Sequence, residues 1–577
     1  MKVTDDPVPL FTVHHLTTFQ DILTHCLRTV PNKIALEDLN PTPISKVTYA
    51  ELHEYVLQFG SALKRTGLKE RDHIVVISEN RVQWGIAFLA CTTFNYVAVP
   101  IDKNLKENEI VTILHASDAK GAVFSEAYRE MFIEFKHTVK GLQILVDMDL
   151  DTRVNGLQSM TEMIVKEQMS TKTGSFPKLA PEALAILVFT SGSMGRAKGV
   201  MLSQKNICTN LMDMLRMISI RPADRFLSVL PIHHSYECTC GFLCPLTAGA
   251  SAHYARSLKT IVEDMQKVRP TILLGVPLLY EKMYRRITAA IAEKRLTSKV
   301  ITPLKKIAGM MEMFGAKEFR RKVFAEIHGK FGGAVRLFIV GGAAPDPRVA
   351  EGLRSFGFNF VQGYGLTETS PILAVNRESN FKDEAAGIPL PSVNIRISAP
   401  DNEGRGEILA KAPTVMLGYY KNEKATADVM EDGWFHTGDF GFIDDDGFVH
   451  INGRKKNVII ARNGENVFPE ELEDLIHGLP FVLESVVYGA KDASGGEEIC
   501  VLLVPNAEHF IEHAQKHGLE VTSQLVEKTL NDEIRKLNKT LPIHKQIRKV
   551  TVQEREFEKT TTQKIKRYLI NQEDSTH

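Results

Sequence analysis

The residues able to do chemistry in this 577-residue chain fall into a few short clusters. The first is Thr190-Ser-Gly-Ser-Met-Gly-Arg-Ala-Lys-Gly199. Its small residues let backbone N–H groups approach phosphate oxygens, while the hydroxyls of Thr190, Ser191 and Ser193 and the Lys198 ammonium add donors and positive charge. That composition suits a polyphosphate cradle, and it equally suits an ordinary glycine-rich surface loop. It is not a Walker A loop, because Lys198 is followed by Gly199 and not by a hydroxyl residue that could hold magnesium. The second cluster, Gln362-Gly-Tyr-Gly-Leu-Thr-Glu-Thr369, offers an aromatic face at Tyr364, a hydroxyl at Thr367 and a carboxylate at Glu368 able to hold magnesium against a phosphate. Taken singly, Tyr364 reads equally well as core and Glu368 as a helix-start charge. The third, Trp434-Phe-His-Thr-Gly-Asp439, sets Asp439 behind a glycine, as suits a carboxylate accepting hydrogen bonds from ribose hydroxyls or a plain turn aspartate.

Elements that could position these clusters are legible around them. Thr48 followed by Glu51 forms a capping-box pattern, and Leu52, Val56, Phe59 and Leu63 recur at helical spacing until Gly67 stops the run. Residues 73–77, 184–189, 226–230, 271–275 and 336–340 are short apolar runs between longer amphipathic stretches, which predicts α/β sheets. In such sheets ligands bind beyond the carboxyl ends of strands. The first cluster follows the run at 184–189 and precedes a helix capped by Ser203; the second follows a strand-like run at 356–361. Asp401 to Gly406 reads as a turn, and the pattern restarts beyond Arg454, so a domain boundary is expected near Asn452 to Lys456.

Composition narrows the function classes. With 70 basic and 70 acidic side chains there is no global field to favour nucleic acid, so any anionic ligand needs a local site. Seven cysteines, odd in number and set among apolar residues, indicate reduced thiols and a cytoplasmic location. No apolar run approaches the ~20 residues of a spanning helix, and the residues after Met1 carry no apolar signal core. Residues 285–330 are strongly basic, with Met and Leu at loosely helical spacing. Solvated surface helices explain them, and a peripheral membrane face is the alternative.

The clusters, in this order, resemble the adenylate-forming superfamily of acyl-CoA synthetases, luciferases and peptide-synthetase adenylation domains, over nearly the whole chain. The resemblance implies an α/β fold with a large multi-subdomain N-terminal domain, residues 1–453, and a small mobile α+β C-terminal domain, residues 454–577. It implies a phosphate-binding loop at Thr190, Ser191, Gly192, Ser193, Gly195 and Lys198, and an adenine-binding turn at Gly342, Ala343 and Ala344. Tyr364 and Gly365 match the adenine-stacking segment, Thr367 the phosphate contact, Glu368 the magnesium ligand, and Asp439 with Arg454 the ribose pair. Lys456 falls on the hinge, Gly464 on the thiol tunnel and Lys564 on the catalytic lysine, with Lys566 a second amine two residues beyond. Met194 replaces a usual hydroxyl residue, Ala197 a usual proline and Gln563 a usual glycine.

The implied reaction activates a carboxylic acid with ATP and Mg2+ to an acyl-adenylate and passes the acyl group to coenzyme A. In Pro231-Ile-His-His-Ser-Tyr-Glu237, His234 takes the family's acyl-site histidine position and Glu237 is the form typical of long-chain fatty acyl-CoA synthetases. Glu79 to Trp84 and Gly275 to Tyr280 resemble the same branch, and Gly453 to Ile460 resembles bacterial members. A fatty acid is therefore the expected substrate, held in an apolar tunnel along residues 240–246 and 276–279, where each buried CH₂ is worth roughly 0.8 kcal/mol. Three other readings stay open: an acyl carrier protein as the acceptor, a nucleotide-binding protein without catalysis, and zinc at Cys238, Cys240, Cys244, His233 and His234. The C-x-C-x₃-C spacing is not a standard zinc pattern, and a tunnel-lining helix explains it without metal.

Overall fold

The computed structural model describes residues 8–154, 156–170, 174–190, 197–293, 319–461, 465–491, 497–559, 565–567 and 569–570, with Pro303, Lys305, Ile307 and Met310. The expected capping box closes as read. Thr48 Oγ1 accepts from Glu51 N at 3.2 Å, and the Glu51 carboxylate accepts from Thr48 N at 2.7 Å, opening the helix Tyr49–Arg65. Its Leu52, Val56, Phe59 and Leu63 are buried, and Gly67 with φ +94° turns the chain away afterwards.

By internal contacts the chain divides into two units, residues 1–395 with 410–435 and residues 396–409 with 436–577. The first holds two sheets. One is nine-stranded, with Arg225–Ser228, Ser251–Tyr254 and Ile272–Gly275 at its centre and antiparallel strands at its margins. From Ile34–Asp38 to Asn359–Gly365 its pairings are all parallel. The other is eight-stranded and runs parallel from Leu184–Thr190 through Val97–Pro100 and His73–Ile77 to Gln158–Ser159. The helix Val82–Thr93 is buried on every face, so its sequence is apolar all round. Trp84 stacks on Phe88 at 5.1 Å and meets Phe242 edge-on at 5.9 Å.

The second unit includes the antiparallel pair Trp434–Ile443 and Val449–Arg454, part of a five-stranded sheet, and, further along the chain, the three-stranded sheet Val482–Lys491, Glu497–Pro505 and Lys549–Val552. Helices Pro469–His477, Ala507–His517 and Ser523–Asn538 accompany the latter, and Leu472, Ile476, Val501, Leu503, Phe510 and Leu530 form its core. This is the α+β pattern expected of the smaller domain. The compact unit begins before Arg454, because Val449–Arg454 is laddered onto Trp434–Ile443, with Asp439 opposite Arg454.

All seven cysteines are buried free thiols, and no described helix is long and apolar enough to cross a membrane. Within the basic stretch 285–330, most of residues 294–318 lie outside the described residues. Of its described members, Arg320 donates to Arg354 O at 3.0 Å and Arg321 to Gly333 O at 2.6 Å, so part of the charge secures backbone.

Candidate active site

Thr190 and Lys198 lie directly opposite each other at the ends of the antiparallel strands Leu184–Thr190 and Lys198–Ser203. The first cluster therefore spans a strand-to-strand connection, not the strand-to-helix connection expected. The segment after Lys198 is a strand because Val200 and Leu202 alternate inward against the sheet, and the helix starts only at Gln204. The Ser203 cap is present, with Oγ accepting from Asn206 N at 3.1 Å. Ser191, Gly192, Ser193 and Gly195 lie outside the described residues.

The second cluster is also built on a strand. Asn359–Gly365 carries Tyr364, which is buried and opposite Ala374, whereas Phe356 and Phe358 belong to the hydrophobic core and precede the strand. Gly365 is required by close approach, since a Cβ there would stand 1.8 Å from Pro371 O. The short turn Thr367–Thr369 follows, with Thr369 Oγ1 donating to Pro371 O at 2.6 Å. Gly342, at φ +86°, and its neighbours Ala343 and Ala344 form an exposed turn after the strand Leu337–Val340.

Three contacts organise this region. Ser235 Oγ and Thr367 Oγ1 are 3.0 Å apart, joining the turn that carries His234 to the turn that carries Glu368. Tyr419 Oη donates to Glu368 Oε1 at 2.9 Å, and Lys198 Nζ lies 4.7 Å from the centre of the Tyr419 ring. A carboxylate keeps acceptor capacity after one such bond, and magnesium bound to nucleotide phosphates needs only one or two carboxylates, so Glu368 fits that ion.

The His234 turn is braced from below. Asn80 Nδ2 donates to Leu230 O at 2.7 Å and to Ser228 Oγ at 3.1 Å, while Asn80 Oδ1 accepts from Ile232 N at 3.0 Å. Ser228 Oγ in turn donates to Glu237 Oε1 at 2.5 Å. Burial pushes the Glu237 carboxyl up to about 8. His234 itself is half-buried, and Tyr236 N donates to its Nδ1 at 3.3 Å. His233 faces Asp102 at 3.7 Å, and burial pushes its imidazole down to about 4. From Glu237 to Leu243 the helix is π-helical, a widened turn common at functional sites. Cys238, Cys240 and Cys244 are buried there, burial raises each thiol's pKa, and Cys240 Sγ is 3.5 Å from Met214 Sδ. Among the described residues no group of three or more His, Cys, Asp or Glu side chains could hold a metal, so the zinc reading gains no support.

In the second unit, Arg454 Nε lies 2.8 Å from Asp439 Oδ1 and its Nη1 donates to Thr437 O at 3.0 Å. Gly438, at φ +70°, allows the turn of backbone that brings Asp439 N to Thr437 Oγ1 at 3.1 Å. Lys456 sits in the turn Lys455–Asn457; burial and then the Arg454 and Arg567 charges hold its ammonium below the usual lysine range. Gly464 and Lys564 lie outside the described residues. Lys566 is described, 3.6 Å from Glu558 Oε2.

Sequence reading missed Tyr419, Ser235, Ser228 and Asn80. Each is an ordinary residue type, and only its place against a cluster residue gives it a role. The tunnel expected along 240–246 also needs revision: Leu243, Cys244 and Leu246 are packed in the core, with Cys26 Sγ donating to Leu246 O at 3.1 Å.

The chain has the fold of adenylate-forming enzymes and belongs to the AMP-binding enzyme family. The family model matches residues 23–420, and the model of the AMP-binding enzyme C-terminal domain matches residues 456–573. Among individual relatives, the chain is 28% identical over 510 residues to the long-chain-fatty-acid–CoA ligase FadD15 of Mycobacterium bovis, covering 85% of this chain and 82% of that one. It is likewise 28% identical over 470 residues to the peroxisomal long chain acyl-CoA synthetase 7 of Arabidopsis thaliana, covering 77% and 67%. In three dimensions it is similar to ATP-bound MatB from Rhodopseudomonas palustris, with a TM-score of 0.76 at 24% identity and coverage of 96% and 99%.

Proposed function

We propose that the protein is an acid–thiol ligase that activates a medium- to long-chain fatty acid with ATP to the acyl-adenylate and transfers the acyl group to coenzyme A, releasing pyrophosphate and then AMP. The observation that carries this reading is the Ser235–Thr367 contact, which joins the turn of the acyl-site His234 to the turn of the nucleotide-site Glu368. The long-chain names of the two relatives support the acid class and coenzyme A as the acceptor.

A carboxylate attacking the α-phosphate meets repulsion between two anions, so catalysis consists largely of positioning and charge neutralisation. Tyr364 and the turn Gly342, Ala343, Ala344 hold adenine, and Asp439, fixed by Arg454, accepts from the ribose hydroxyls. Thr190, Lys198 and the loop residues Ser191, Gly192, Ser193 and Gly195 hold the phosphates, with Thr367 as a further contact. Glu368 would hold magnesium, which when bound would neutralise charge on the phosphate oxygens. Lys564 places its ammonium beside the α-phosphate oxygens during adenylation. His234 lines the path of the acid's carboxylate. A thiolate then attacks the acyl carbonyl, with AMP as leaving group. Using one site for both steps asks residues 454–577 to turn about Lys456, bringing Gly464 to the thiol path. The seven buried free thiols accord with a cytoplasmic location.

The test is acid-dependent pyrophosphate release followed by thioester formation with coenzyme A. Acyl-adenylate that accumulates in the presence of coenzyme A would instead indicate a carrier-protein acceptor.

A further inference from the structure

Tyr419 is held more firmly than its place on a sheet margin requires. It lies on Gly418–Tyr419, which pairs antiparallel with Lys198–Ser203, Tyr419 opposite Val200. Backbone bonds from Leu417 N to Met201 O at 2.9 Å and from Tyr420 N to Gly199 O at 2.7 Å fix its register beside Lys198. Its own N–H donates to Thr426 Oγ1 at 2.9 Å. From this position the hydroxyl holds Glu368 Oε1 at 2.9 Å and the ring face holds Lys198 Nζ at 4.7 Å. Glu368 is anchored on the same segment through Met416 N, which donates to Glu368 O at 2.8 Å.

Two opposite charges are thus held on different surfaces of one aromatic ring. A phenol can do both because its edge carries a hydrogen-bond donor while its face is electron-rich and attracts cations. If the ring were absent, the lysine and the carboxylate that both contact it would be free to approach and lower their energy by pairing directly. Such a pair would occupy the carboxylate with ammonium and withdraw the ammonium from incoming phosphate.

We propose that Tyr419 is a positioning residue for the nucleotide site: its hydroxyl aims the Glu368 carboxylate at the magnesium of magnesium–ATP, and its ring keeps Lys198 apart from Glu368 and available to phosphate. The inference rests on the assignment of Glu368 and Lys198 made above. It separates the two halves of the side chain into two functions. Tyr419→Phe removes only the donor; Tyr419→Leu removes donor and ring face.

The experiment measures divalent-ion binding directly, by the loss of the free Mn2+ paramagnetic resonance signal on titration into full-length protein with α,β-methylene-ATP. Fatty-acid-dependent ATP–pyrophosphate exchange is followed in parallel. Tyr419→Phe is expected to weaken Mn2+ binding by about tenfold, the lower end for losing a partner that orients a metal ligand. It should shift the magnesium half-saturation of exchange equally while leaving the apparent KM for ATP at saturating magnesium near the wild-type value. Tyr419→Leu is expected to weaken ion binding further and to raise that KM as well. Wild-type Mn2+ affinity in Tyr419→Phe overturns the proposal, as does lower turnover at unchanged magnesium half-saturation in a variant of unchanged melting temperature. Failure of the functional reading is distinguishable, because the wild-type protein would then show no acid-dependent exchange at all.

Discussion

Ser235 Oγ stands 3.0 Å from Thr367 Oγ1, and these two hydroxyls directly link the His234 turn to the Glu368 turn. A hydrogen bond of this kind contributes about 0.5–1.5 kcal/mol net. Ser235→Ala should therefore slow adenylation by roughly threefold to tenfold. Because Ser235 and Thr367 act as a pair, the double variant with Thr367→Ala should lose less than the product of the single losses. Steady-state pyrophosphate release for the four proteins of the cycle measures the coupling.

Asp439 should matter for nucleotide binding far more than for stability. Its partner Arg454 is 38% exposed at the side chain, so solvent screens the pair and its stability contribution is limited to about 1 kcal/mol. Asp439→Asn should raise the KM for ATP at least about tenfold, as expected when a charged acceptor is lost, with a small change in melting temperature. Isothermal titration with a nonhydrolysable nucleotide, beside a thermal melt, separates the two effects.

Glu237 gives the fold a pH dependence. Burial raises its carboxyl from its ordinary value of 4.5 to about 8, so between those values the folded protein binds a proton that the unfolded chain has released. Stability from this group is fully present below the unfolded pKa and is lost as pH rises toward the folded one. The wild-type melting temperature should fall from about pH 5 to about pH 8, and Glu237→Gln, which keeps shape without the titration, should flatten that slope. Melts across pH in a common buffer series check it.

Gly365→Ala should remove activity through the backbone. A Cβ would meet Pro371 O at 1.8 Å, and the strand end carrying Tyr364 would have to shift away from the Thr367–Thr369 turn. The expected cost is more than about 2 kcal/mol, within the range of severe backbone conflicts. Denaturant midpoint and pyrophosphate release should fall together.

Much of this site was legible in the sequence as residue types, and less of it as geometry. Thr48 and Glu51 announced their helix because a capping box is a local interaction between near neighbours. Asp439 and Arg454 were each legible as candidates, but their meeting depends on hairpin register, which brings positions 439 and 454 opposite. The strand Lys198–Ser203 was hidden because its first residues also complete the glycine-rich motif, and the Ser203 cap drew attention to the helix beyond. Tyr419 could not be found in the sequence at all. It carries no distinctive composition, and its role comes from sheet pairing between segments more than two hundred residues apart. The packing of Leu243, Cys244 and Leu246 into the core likewise depends on helices near the start of the chain, beyond the reach of local pattern.

The most direct measurement uses purified full-length protein with ATP, magnesium and a panel of acids from acetate to long-chain fatty acids, with and without coenzyme A. Pyrophosphate is followed continuously and acyl products are identified by mass. The account predicts pyrophosphate release dependent on medium- to long-chain fatty acid and accumulation of the matching acyl-CoA with AMP. It also predicts that Lys564→Ala retains nucleotide binding while losing adenylation by orders of magnitude. Absence of pyrophosphate release with every fatty acid, or a Lys564→Ala protein as active in adenylation as the wild type, would contradict it.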